Sequence, residues 1–118
     1  MKLWLPVAAY MAVIFVLSSI PNPPTVSQPG SDKLLHVLLY GGLAAFVVRA
    51  VAGGFDRPVT MRTVIVAVVV SALYGATDEV HQHFVPARQM DAWDLAADSV
   101  GAAASALALY AAHVFRRV

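Results

Sequence analysis

The residues best suited to chemistry in this chain are concentrated in residues 77–101. This segment holds five of the seven acidic residues and two of the four histidines of a 118-residue chain. Apolar runs flank it on both sides. Ionisable side chains in or near a bilayer are energetically costly and are usually retained for a functional reason. A functional site is therefore predicted here, with the candidate residues Asp78, Glu79, Gln82, Arg88, Asp91, Asp94 and Asp98.

The acidic residues of this segment are spaced to share helix faces. Asp91, Asp94 and Asp98 are three and four residues apart, which places them along one face of a helix. Oxygen ligands at this density suit a hard cation such as Mg²⁺ or Ca²⁺. A first interpretation is that these three residues, with Asp78 or Glu79, hold a divalent cation that contacts a phosphate of a lipid headgroup.

Two other interpretations need no metal. Arg88 could bind a phosphate or carboxylate in a bidentate manner, with His36 or a carboxylate as the general base. Alternatively, Arg88 and His36 neutralise Asp78, Glu79 and Asp94 and only hold the helices together. Buried ion pairs are weak stabilisers, which argues against a purely structural role for so many acids.

Composition limits the class of protein. Apolar residues make up 59% of the chain and charged residues 13%, against about 25% charged in a typical soluble domain. The chain is therefore interpreted as an integral membrane protein. It contains no cysteine, so thiolate metal sites and cysteine nucleophiles are excluded. The net charge of +1 and the lack of a basic run give no indication of nucleic-acid binding.

Four apolar runs predict an all-α, integral membrane four-helix bundle formed by a single domain, residues 1–118. The predicted helices are about 3–20, 32–52, 62–85 and 91–115. The last two reach the ~20 residues of a spanning helix only if they extend into the acidic segment. That extension places His36 at the same depth as Asp78, Glu79 and Asp94.

Lysine and arginine are distributed unequally between the two ends of such a bundle. Short loops rich in these residues stay in the cytoplasm. The predicted topology therefore has both termini in the cytoplasm and the polar cluster facing outward from a bacterial cytoplasmic membrane. One end carries Lys2, Arg49, Arg57, Arg62, Arg116 and Arg117, and the other carries Lys33 and Arg88.

Two separated motifs give a family resemblance. The first is Asp32-Lys33-Leu34-Leu35-His36, continued at Tyr40. The second runs from Tyr74 to Gly101 and matches in spacing at Tyr74, Asp78, Glu79, Gln82, Phe84, Pro86, Arg88, Asp94 and Gly101. Over almost the whole chain the sequence resembles the VanZ-like family of small bacterial membrane proteins, named for a teicoplanin-resistance protein. The resemblance implies a multi-helix membrane protein and, in some members, a link to glycopeptide resistance, but no established reaction.

Three positions depart from the family pattern. Ala87 stands where glycine is usual, Asp98 where asparagine is usual, and Asp91 where serine is common. The last two make this site more acidic than the family pattern and favour a cation, or a proton shared between Asp94 and Asp98.

We expect the polar cluster to bind, and to hydrolyse or transfer, the headgroup of an anionic or phosphate-bearing envelope lipid or a lipid-linked cell-wall precursor. The alternative is a non-catalytic module that binds or shields a cell-wall precursor or glycopeptide, and a third is an oligomeric transporter. A homo-oligomer is left open. The expected catalytic residues are His36, Asp78, Glu79 and Asp94. The expected substrate-binding residues are Lys33, Tyr40, Tyr74, Gln82 and Arg88.

Overall fold

A computed structural model describes residues 2–20, 31–85 and 92–116, without the side chains of residues 31 and 32. Most of these residues are helical, and no strand occurs within the described ranges. The prediction of an all-α protein with four helices is therefore confirmed. The helices are α1 (Leu5–Ser18), α2 (Ser31–Ala52), α3 (Met61–His83) and α4 (Ala92–Arg116).

The last three helices are long and apolar enough to cross a membrane, whereas α1 is shorter than predicted. With 14 residues, α1 is about 21 Å long at ~1.5 Å per residue, less than the ~30 Å thickness of a hydrocarbon core. Its end has a local cause. The hydroxyls of Ser18 and Ser19 both donate to the carbonyl of Phe15, and Pro21 follows, which disfavours helical geometry at Ile20.

The helix α3 forms despite its many valines because its ends are well defined. Thr60 and Thr63 cap the start reciprocally: Thr63 N–H donates to Thr60 Oγ1 at 3.2 Å, and Thr60 N–H approaches Thr63 Oγ1 at 3.4 Å. The preceding helix α2 ends where Gly53 and Gly54 take positive φ angles of 93° and 143°. Both of their N–H groups donate to the carbonyl of Arg49, so the chain reverses between α2 and α3.

The bundle is centred on α2, α3 and α4, which all pack on one another, while α1 packs on α2 and α3. Small residues allow the closest approach. A Cβ atom on Gly101 of α4 would overlap the backbone of Val37 in α2. Large apolar side chains such as Leu38, Leu73 and Val100 are more than half exposed on the outer surface, as expected for helices that face lipid.

Candidate functional site

Three helix ends meet at one end of the bundle and position the polar cluster. The N-terminal halves of α2 and α4 lie side by side, because His36 contacts Asp98 and Val37 contacts Gly101. The last turns of α3 reach the same end, since Gly75 packs against Asp98. The described residues of the two motifs therefore meet at the same end of the bundle.

The central contact of the cluster joins His36 of α2 to Asp98 of α4. The distance between His36 Nδ1 and Asp98 Oδ1 is 2.6 Å, and the Asp98 side chain is fully buried. An ionised carboxylate only accepts hydrogen bonds, so opposite an ionised Asp98 the Nδ1–H group donates. The other ring nitrogen, Nε2, then faces Asp94 Oδ2 at 3.8 Å, too far for a hydrogen bond. Asp98 therefore orients the imidazole and leaves Nε2 available for chemistry.

A second ion pair lies closer to the bundle surface. Lys33 Nζ donates to Asp94 Oδ1 at 2.7 Å. The lysine side chain is 34% exposed, whereas the aspartate side chain is 9% exposed. Lys33 is therefore the described cation best placed to meet an incoming anion, and Asp94 is the group that holds it at the site.

The acids of α3 lie on the buried face of that helix. Asp78, Glu79 and Gln82 are all at most 4% exposed, and Gln82 Nε2 donates to Asp78 Oδ2 at 3.4 Å. The two side chains are four residues apart on α3, a spacing at which side chains of one helix face each other. The helix α3 thus contributes two buried carboxylates to the interior of the cluster. Charged residues are almost never buried to this extent unless they are paired.

Two tyrosines lie beneath the cluster and have different environments. The ring of Tyr40 lies parallel to that of His36, with the centroids 6.2 Å apart. Its hydroxyl is buried and has no hydrogen-bond partner among the described residues. The hydroxyl of Tyr74 instead donates to the carbonyl of Met11 in α1 at 2.5 Å. Tyr74, predicted to bind substrate, thus uses its hydroxyl to hold α1 in place.

Of the three aspartates predicted as metal ligands, the structure describes Asp94 and Asp98, and both face the His36 ring. Asp91 and Arg88 lie outside the described residues, and Asp94 is bound to Lys33. Asp98 instead lies with His36 and Glu79, and these three offer ligand atoms within 4.8 Å of one another. Helix spacing relates residues of one helix only, so it could not show which residues of α2 and α3 lie beside Asp98.

The structure also adds residues that were not among the predicted site residues. Ser19 Oγ lies 2.9 Å from His81 Nε2, and Phe15 stacks on the His81 ring at 4.3 Å between centroids. These contacts fasten the end of α1 to α3 beside the cluster. Gly75 is the other addition: a Cβ there would lie 2.6 Å from Asp98 Oδ2. Its position one turn before Asp78 and Glu79, on the same face, was the available signal.

A comparison with protein families assigns the chain to one of them. The family described as VanZ/LLP1 matches residues 3–115, so the chain belongs to this family. The three long apolar helices and this membership together indicate a multi-pass membrane protein. No curated protein and no solved structure matches the chain.

Proposed function

We propose that this VanZ/LLP1 family member binds the anionic headgroup of an envelope lipid at its polar cluster and hydrolyses it there. The observation that carries the proposal is the His36–Asp98 contact of 2.6 Å between a nearly buried imidazole and a fully buried carboxylate. A purely structural cluster would not need an imidazole held in one orientation with its second nitrogen directed toward the Lys33–Asp94 ion pair.

The residues around His36 support different parts of this reaction. Lys33 is the described cation that meets the headgroup, and Arg88, by its place in the sequence between α3 and α4, is expected to assist it. In the hydrolysis, a water oxygen forms a bond to phosphorus and the phosphorus–oxygen bond to the leaving group breaks. The water proton passes through the cluster to the leaving oxygen. His36 and the carboxylates of Asp94 and Asp98 are the groups that handle this proton.

The charge distribution supports an outward-facing site. Six of the eight lysines and arginines belong to the opposite end of the bundle or to the termini beside it. Positively charged loops stay in the cytoplasm, so the cluster faces away from it. A lipid in the outer leaflet, including a lipid-linked cell-wall precursor, then reaches the cluster from the side of the membrane.

A non-catalytic binding module is the second candidate, and the ion pairs favour it. Lys33 and His36 both contact carboxylates of α4 within 2.7 Å, so much of the cluster is already satisfied without substrate. Such a module would bind a cell-wall precursor or a glycopeptide and leave its headgroup intact.

Lipid analysis of cells that carry His36→Gln separates the two candidates. General acid–base groups contribute about 100-fold or more to a rate, so His36→Gln should raise the substrate lipid and lower its product to the level of cells without the protein. His113→Gln is the matched control, because His113 lies near the far end of α4, away from the cluster. An envelope-lipid profile that is the same in all strains, at equal protein levels, would refute hydrolysis.

A further inference from the structure

We propose that His36, Glu79 and Asp98 bind one divalent transition-metal ion of the Mn²⁺ or Zn²⁺ type between α2, α3 and α4. Each helix supplies one of these residues, and the three ligand atoms lie within 4.8 Å of one another. The metal site deepens the proposed function. Only the role of the ion in hydrolysis rests on that function, because ion binding itself can be measured without any lipid.

The spacing of the three atoms is close to what a metal needs. Bonds of ~2.1 Å in a tetrahedral site place neighbouring ligand atoms ~3.4 Å apart. A pair of atoms at the 4.8 Å limit would have to approach by ~1.4 Å. His36 Nδ1 and Asp98 Oδ1, now 2.6 Å apart, would have to separate by ~0.8 Å when the ion replaces the proton between them.

The carboxylate of Asp98 gives an independent indication that this site binds an ion. Asp98 is fully buried, and its Oδ2 atom has no hydrogen-bond partner among the described residues. Buried polar atoms without a partner are uncommon and point to a water or ion that satisfies them. Gly75 gives this carboxylate its space, since a Cβ there would lie 3.2 Å from the Asp98 Cβ and 3.3 Å from its Cγ.

The charge at this end of the bundle also favours a cation. By position in the sequence, this end has six acidic residues and two basic ones, a formal charge of −4 (2 minus 6). An anionic headgroup would be repelled by such an end. A bound dication would reduce the net negative charge from −4 to −2 and attract the phosphate directly. The acids of this end are Asp32, Asp78, Glu79, Asp91, Asp94 and Asp98, and the basic residues are Lys33 and Arg88.

The types of ligand decide which ions fit. Imidazole suits zinc, iron and related metals, whereas all-oxygen sites suit Mg²⁺ and Ca²⁺. One imidazole with two carboxylates therefore favours a transition metal over the Mg²⁺ or Ca²⁺ expected from the aspartates alone. Three protein ligands leave a coordination position open, as catalytic metal sites require. That position would be filled by water or by a phosphoryl oxygen of the headgroup, which the ion polarises.

The test is equilibrium dialysis of the purified protein in detergent against Mn²⁺ or Zn²⁺, with bound metal measured by mass spectrometry. We expect one ion per chain. Loss of a residue that only supports a ligand costs about 10–100-fold in affinity, so Asp98→Asn, which removes a ligand charge, should weaken binding at least ~100-fold. Asp56→Asn, at the opposite end, should leave it unchanged, and Asp94→Asn should change it severalfold at most.

A spectroscopic measurement keeps the test valid if Asp98→Asn is less stable. Pulsed electron paramagnetic resonance of bound Mn²⁺ should show coupling to one imidazole nitrogen in the wild type, and His36→Gln should abolish that coupling. Equal affinity in Asp98→Asn and Asp56→Asn, or no nitrogen coupling in the wild type, would overturn the proposal. So would binding of Mg²⁺ or Ca²⁺ alone.

The failures of the two proposals are distinguishable. If the protein binds no ion but hydrolyses lipid in the presence of a chelator, the metal site is refuted and His36 acts by proton transfer. If it binds one ion at these residues but leaves every lipid unchanged, the metal site stands and hydrolysis is refuted.

Discussion

Replacing Gly101 by alanine should push α2 and α4 apart and thereby disrupt the candidate site between them. A Cβ at position 101 would overlap the backbone oxygen, Cα and carbonyl carbon of Val37. Backbone atoms cannot rotate away as the end of a flexible side chain can, and carbon atoms pack at ~3.5–4.0 Å. The two helices must therefore move apart by about 1 Å at this point.

The size of the effect follows from two opposing contributions. Overpacking a well-packed interface costs typically about 1–3 kcal/mol, and alanine regains about 1 kcal/mol over glycine in a helix. The expected net loss of unfolding free energy is therefore up to about 2 kcal/mol. The geometry of the candidate site should change as well, because His36 and Asp98 lie next to this contact. A 1 Å shift would lengthen their 2.6 Å hydrogen bond beyond the range of a real one.

Gly41→Ala is the matched control at the same interface. A Cβ at Gly41 would lie 3.4 Å from the Gly101 carbonyl oxygen, an ordinary contact, so this variant should be as stable as the wild type or up to ~1 kcal/mol more stable. Unfolding in mixed micelles of increasing dodecyl sulfate content, followed by circular dichroism, gives both values. Equal midpoints for Gly101→Ala and Gly41→Ala would refute the packing argument.

Three further predictions concern single positions. Tyr74→Phe removes the hydrogen bond to Met11. It should lower the free energy of detaching α1 from the bundle by about 1 kcal/mol, measured as faster amide hydrogen exchange in α1. Gly75→Ala should displace the Asp98 carboxylate, since its Cβ would lie 2.6 Å from Oδ2, and lower Mn²⁺ affinity at least tenfold with helix content unchanged. Asp56→Cys, at an exposed position of the loop between α2 and α3, should resist a membrane-impermeant thiol reagent added to whole cells and react after lysis. Labelling of intact cells would reverse the proposed orientation.

The structure agrees best with the sequence where a pattern lies within one helix. Asp78, Glu79 and Gln82 are buried on one face, as their spacing indicates, and α3 is helical although its valine run alone could have formed a strand. The extent of α1 was less predictable. Its apolar run continues to Ile20, yet two serine hydroxyls bind the Phe15 carbonyl and the helix ends at Ser18.

The partners of the polar residues could not be read from spacing, because they join different helices. The sequence grouped Asp94 and Asp98 with Asp91, since all three share one helix. In the structure Asp94 forms an ion pair with Lys33. Asp98 instead contacts His36, which lies sixty-two residues earlier in the chain. One turn of helix is enough to direct two similar side chains to different neighbours.

Composition and periodicity by themselves determined that this chain forms apolar helices with a polar cluster at one end, because the cost of placing backbone and charge in lipid leaves few alternatives. Which side chains meet was decided only by tertiary packing. The glycines at 75 and 101 let three backbones approach closely, and that approach brings an imidazole and two carboxylates from three helices to within 4.8 Å of one another.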